Sequence, residues 1–237
     1  MGLLPDNKRK PPMDTPRTFF IWGATMSGKS YLAEHFPNPF FINTDDNAEK
    51  SGMPNYQLKN VRDEKGNLKT SVISELDELI LELGTKNHGF QTVVLDVIDD
   101  VIDLIEQAIL FDNKIDTLSD MPFGKGFALQ KQIVRGLVLE LKQLDMNVVF
   151  VSRISEHING NGGTDEMPSL NTKWYNLING NCDLVIRTRR VGKTYTRMLT
   201  DRREEYKRDQ IADPKILHIL DNIPGMFPRA TTTTDKK

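Results

Sequence analysis

The chain has 237 residues, 38% of them hydrophobic, which is enough for one sizeable α/β core and tight for two large domains. Its formal net charge of −2 excludes a surface coated in positive potential, so any nucleic-acid contact must come from local basic patches or loops. A lone cysteine, Cys182, excludes an internal disulfide, and four scattered histidines make no zinc-ligand cluster, as expected of a cytoplasmic protein.

Residues 1–17 (MGLLPDNKRKPPMDTPR) combine four prolines with charges, predicting a flexible arm rather than a secretory signal; residues 229–237 read as a disordered tail. The domain between them, 18–228, opens with a strand at Thr18–Trp22, a glycine loop, a helix from Lys29 to His35 that stops before Pro37, and a strand at Phe40–Thr44. Helical spacing of Val72, Ile73, Leu76, Leu79, Ile80 and Leu83 precedes a buried strand at Thr92–Leu95. A helix follows at Val101–Ile109, then a polar loop at Asp112–Lys125 and a long helix from Phe127 to Leu144. Val148–Ser152 form a further strand, Ile158–Asn171 a Gly- and Asn-rich polar stretch, and Lys173–Asn179 a short helix. Asp183–Arg189 and Thr194–Thr200 flank Val191-Gly192-Lys193 as an antiparallel hairpin. Alternating helices and apolar strands imply an α/β fold: a mostly parallel central sheet flanked by helices, with a C-terminal antiparallel hairpin.

The run Gly23-Ala24-Thr25-Met26-Ser27-Gly28-Lys29-Ser30 fits G-x-x-x-x-G-K-[ST] between a strand and a helix. In that context the glycines let backbone N–H groups wrap the phosphates of ATP at a helix N-terminus, Lys29 meets the terminal phosphates and Ser30 holds Mg2+. Tyr31, next in the helix, completes the nucleotide-binding run. A second group for the metal is an acid at the tip of a buried strand, and Asp96 after Val93-Val94-Leu95 qualifies, with Asp99 and Asp100 reading as helix caps. The attacking water needs another carboxylate beside the γ-phosphate; Asp45 or Asp46, after the second strand, is the candidate, Asp45 ahead. Arg187–Arg208 holds nine Lys or Arg against three acids, either a solvated face or a contact for nucleic-acid phosphate or for a neighbouring subunit's ATP.

From the P-loop onward the order of pieces resembles the RecA-type P-loop ATPase core, especially its reduced phage version, the P-loop single-strand annealing proteins of the Sak-four group. The resemblance covers roughly residues 18 to 203 and rests on Phe40-Phe41-Ile42-Asn43-Thr44-Asp45, on Val93-Val94-Leu95-Asp96, and on the run from Gly126-Phe127-Ala128 through Val148–Arg153 and Lys173-Trp174-Tyr175 to Cys182–Arg187. It implies a RecA-like fold, catalytic roles for Lys29, Asp45 and Asp96, and an oligomer with ATP at subunit interfaces. In that assembly Arg202 or Arg203 would reach a neighbour's γ-phosphate. It also implies single-stranded DNA as partner, met by loops at Asp112–Lys125 and Ser155–Thr172 through Lys114, Lys125, His157, Asn159 and Asn161, in the host cytoplasm if the chain is phage-encoded. Two departures stand out: Asp45 replaces the family's usual Glu, and Ser152-Arg153 replaces the polar amide that senses the γ-phosphate.

The reading that follows is an ATP-dependent DNA-binding protein for annealing or strand exchange. A P-loop nucleotide kinase is the rival, with Ser155–Thr172 as lid, though that loop has no Arg or Lys. A helicase-loader-type ATPase would need more chain after the hairpin, and an ATP-binding interaction module would need no catalytic acid.

Overall fold

The computed structural model describes residues 15–45, 52–158, 160 and 162–227. The chain order is β1 (Thr18–Gly23), α1 (Lys29–Glu34), β2 (Pro39–Asn43), β3 (Asn55–Gln57), β4 (Val61–Arg62), β5 (Leu68–Thr70), α2 (Val72–Thr85), β6 (Thr92–Asp96) and α3 (Ile98–Asn113). Two 3-10 turns, Leu118–Asp120 and Pro122–Gly124, lead to α4 (Lys125–Gln143) and β7 (Asn147–Ser152). Then come β8 (Ile154–Ile158), β9 (Thr164–Pro168), α5 (Thr172–Asn179), β10 (Leu184–Val191), β11 (Thr194–Arg202) and α6 (Pro214–Asp221).

Strands β1, β2, β6 and β7 carry apolar residues at consecutive positions, so both faces of the sheet they form must be covered. They sit inside a sheet of order β11-β10-β1-β7-β6-β2-β3, parallel at every pairing except β10 with β11. Phe20, Phe40, Val93, Leu95, Val148 and Phe150 meet α2–α5 on one face. Phe19, Ile21, Phe41, Val94, Val149 and Val151 meet α1 and the C-terminal segment around α6 on the other. The expected α/β architecture is therefore present, hairpin included.

Several elements differ from the sequence expectation. The polar stretch after β7 pairs with itself as the β8–β9 hairpin, because residues on either side of the Gly-Asn turn can bond across it. Asp112–Lys125 tightens into two 3-10 turns: Leu118 is buried, Thr117 and Asp120 cap each other, and Gly126 lies so close to the Leu118 carbonyl that a Cβ would stand 2.3 Å from it. Strand β3 and the β4–β5 hairpin carry no strong periodicity and are supplied by tertiary contacts, whereas α6, missing from the sequence expectation, has Ile216, Ile219 and Leu220 at helical spacing behind an Asp213 cap and Pro214. The start of the expected arm is outside the described residues, but its last residue is fixed. Arg17 donates from its guanidinium to the carbonyls of Leu144 and Met146, and from its backbone to the Asp183 carboxylate.

Phe150 lies wholly buried near the middle of the sheet. Phe150→Ala should cost about 3–5 kcal/mol, read as a lower urea midpoint at unchanged slope; a loss under about 1 kcal/mol would mean that the central strand is not packed as described.

Candidate nucleotide site

Because β10, β1, β7, β6 and β2 pair in parallel through four successive pairings, all five end at one edge, and the loops that follow them share one crevice. At that edge Gly23 closes β1 flush against β10. A Cβ on it would stand 2.3 Å from the Thr188 carbonyl oxygen and 2.6 Å from its hydroxyl, so only glycine fits. The Ser27 and Thr188 hydroxyls are 2.6 Å apart and tie the middle of the loop to the same strand. Gly28, left-handed at φ 88°, turns the chain into α1, whose first amides have no partner within the helix and point into the loop.

Lys29 is 9% exposed and its Nζ donates to the carbonyls of Gly23 and Ala24, both at 2.9 Å. Burial pushes its pKa below the ordinary range, and the Asp96 charge opposes that. Ser30 Oγ donates to Asp96 Oδ2 at 2.6 Å, so the strand-tip carboxylate and the P-loop hydroxyl meet as expected. Burial raises the Asp96 pKa, with the Ser30 hydrogen bond and Lys29 pulling it back and Asp45 adding to the rise. A hydroxyl and a carboxylate in contact beside a buried ammonium form a donor set suited to a magnesium-bound triphosphate: hard oxygens for the metal, a cation and free amides for phosphate.

Asp45 is exposed just past β2, close enough to raise the Asp96 pKa and that of Arg153. Asp46 lies outside the described residues. Neither Asp99 nor Asp100 caps α3: Val97 holds that position without a side-chain bond. Asp99 instead accepts from Ser152 Oγ at 2.9 Å and from the Arg153 amide at 3.3 Å. Asp100 takes both arms of the Arg153 guanidinium and the Thr44 hydroxyl at 3.0 Å. The first turn of α3 thus ties the ends of β2 and β7 together, and the Arg153 charge lies close enough to Lys29 to help lower its pKa.

Beside the P-loop opens a cleft of about 910 Å³, walled by Met26–Gly28, Tyr31 and His35 on one side, Tyr195–Arg197 on another, and His218 and Pro224 from the C-terminal segment. Its size and aromatic walls suit a nucleoside. Tyr31, expected in the nucleotide-binding run, lines this cleft. Thr188, Tyr195, Arg197 and His218 are additions that the sequence does not single out, since each reaches the P-loop only through strand pairing or packing of a distant segment. A second cavity, on the α3–α5 side, is lined by Asp99, Asp100, Asp103 and Glu106 along with Arg153 and Lys173.

Arg202 and Arg203 pair near Leu184 and Asp183, at the end of the sheet opposite Thr188, about 13 Å away by strand rise. Arg202 bonds Glu205 at 2.9 Å, and Arg203 bonds Asp183 at 3.3 Å. Within their own chain they are outside the site. Lys114 ends α3, 16 residues and about 24 Å from the edge that holds Asp99, whereas Lys125 opens α4; both are exposed. His157 lies on β8, and Asn159 and Asn161 fall outside the described residues.

A parallel sheet with a glycine loop, Lys29 and Ser30 at its carboxyl edge and an acid on a neighbouring strand tip defines a P-loop NTPase-type domain. The model of the AAA domain family matches residues 15–208, and the chain belongs to that family, which implies nucleotide binding. No curated protein sequence matches the chain. No helix among the described residues is long and apolar enough to cross a membrane.

Burial raises the Asp99 pKa to about 6, against the hydrogen bonds from Ser152 and Arg153. Its folded pKa exceeds its unfolded one, so the native state loses stability as pH rises from about 4 through 6, by on the order of 2–3 kcal/mol. Asp99→Asn, neutral throughout, should flatten that fall; melting curves for variant and parent that stay parallel from pH 4.5 to 7.5 would contradict it.

Proposed function

We propose that this protein is a magnesium-dependent ATPase whose turnover responds to single-stranded DNA. The observation that carries the first half is the contact between Ser30 and Asp96 beside the buried ammonium of Lys29. Gly23–Ser30 hold the phosphates, with Lys29 leaving its two carbonyl partners for the terminal phosphate oxygens. Ser30 and Asp96 hold the metal, which when bound neutralises charge on the phosphate oxygens. Asp45, exposed across from Asp96, orients the attacking water and accepts its proton, and Arg153 meets the charge that grows on the transferred phosphoryl.

The DNA half rests on two exposed apolar groups in the loops assigned to it. Phe123 is fully exposed in the second 3-10 turn, and Ile158 is 85% exposed on β8, both suited to bases rather than phosphates. The four acids in the cavity that Ser169–Thr172 of the second loop help to line disfavour a phosphate backbone there, so the strand would run over the loop tips. Arg202 or Arg203, at the far end of the sheet, would act only on a neighbouring subunit's nucleotide.

The test is ATP hydrolysis by the full chain with and without single-stranded DNA, over a range of protein concentration. Lys29→Ala should abolish turnover, and Asp45→Asn should lower it at least tenfold with ATP affinity within about threefold of the parent. DNA should stimulate the parent, and specific activity that climbs with concentration would support an arginine acting in trans. Turnover indifferent to DNA but switched on by a nucleoside monophosphate would instead identify a kinase.

A further inference from the structure

The hairpin β10–β11 places one cation in an unusual position. Gly23 pairs with Thr188 across β1 and β10, and Thr188 pairs with Arg197 across β10 and β11, so Arg197 is level with the P-loop. Paired residues share a face, and the Thr188 hydroxyl meets Ser27 on the α1 side; Arg197 stands on that side as well and lines the cleft beside Tyr31. Tyr195, two residues earlier, also faces that side and packs its ring over Gly28.

Arg197 is half-buried, and among the described residues no carboxylate lies within ion-pair distance of it. None of the residues lining the cleft is acidic. Arg153 pairs with Asp100, Arg187 with Glu166 and Arg203 with Asp183, while Arg189 and Arg190 on β10, which have no ion pair among the described residues either, are exposed to water. A guanidinium drawn partly out of water with no counter-ion is costly unless an anion joins it, and burial accordingly lowers its pKa.

We propose that Arg197 is a phosphate-binding residue of this chain's own nucleotide site, gripping the α-phosphate where the triphosphate leaves the P-loop for the nucleoside cleft. The inference rests on the nucleotide-binding reading above and adds to it a cis-acting cation from the last strand of the sheet. Its planar fork can hold two phosphate oxygens at once, which a lysine cannot.

The experiment is calorimetric titration of the full chain with magnesium and either ATP or ADP, for the parent, Arg197→Gln, Arg197→Lys, Lys29→Ala and Arg135→Gln. Arg135, exposed on α4, controls for lost charge. Arg197→Gln should bind both nucleotides about tenfold more weakly, Arg197→Lys should recover part of the loss, and Arg135→Gln should match the parent. Melting temperatures within a few degrees of the parent would exclude misfolding as the cause. Parent-like affinity in Arg197→Gln overturns the proposal while leaving the nucleotide site intact. A loss confined to ATP overturns the α-phosphate assignment in favour of the γ-phosphate. A parent that binds neither nucleotide defeats the nucleotide reading itself, and the role of Arg197 with it.

Discussion

Everything at the nucleotide edge depends on the close approach of Gly23 to Thr188. Strand β1 is bonded on both sides, to β7 and β10, and buried on both faces, so its end cannot move without breaking the sheet. The P-loop leaves that fixed end over a neighbour with no room for a side chain. The Ser27–Thr188 contact then anchors the loop a second time. A loop of this kind binds well because its amides are oriented by the scaffold before the ligand arrives, which removes an ordering cost from binding.

Electrostatics divide the same edge into two unlike halves. On the α1 side the cleft is lined by Arg197 and two histidines without an acid in its walls, an environment for anions. On the α3 side Asp99, Asp100, Asp103 and Glu106 gather around Arg153. Arg153 spans the divide: its fork is held by Asp100, yet its charge reaches Lys29 and Asp96. Through Asp100 and Thr44 it also touches the end of β2, the strand that leads to Asp45. The ends of β2 and β7 and the first turn of α3 are thus tied into one hydrogen-bonded unit beside the β8–β9 hairpin that follows β7.

That hairpin is itself secured to the main sheet. Glu166 on β9 pairs with Arg187 on β10, whose guanidinium also lies over the Trp22 ring at 5.0 Å. Arg187 thus belongs to the structural part of the basic run. The run is not one functional block: Arg187 ties two sheets, Arg197 faces the cleft, Arg202 and Arg203 bond at the remote end, and Arg208 pairs with Asp221 on α6. Strand alternation sends neighbouring cations to opposite faces, so local charge density is a poor guide to shared purpose.

By itself the sequence determined the alternation of strands and helices, the P-loop, and Asp96 as its strand-tip partner, because those features are local: periodicity of apolar residues, a glycine spacing, an acid closing an apolar run. The C-terminal hairpin was legible for the same reason, through its Gly192 turn. Tertiary structure alone decided that Asp99 and Asp100 brace β7 rather than cap α3, that Arg17 is bound to the core, and that α6 completes the wall of the cleft. It alone decided which arginine of the basic run lines the cleft. Arg197 and Thr188 lie over 150 residues from the P-loop and come to it through two successive strand pairings, and no pattern within a short window of sequence encodes the register of such pairings.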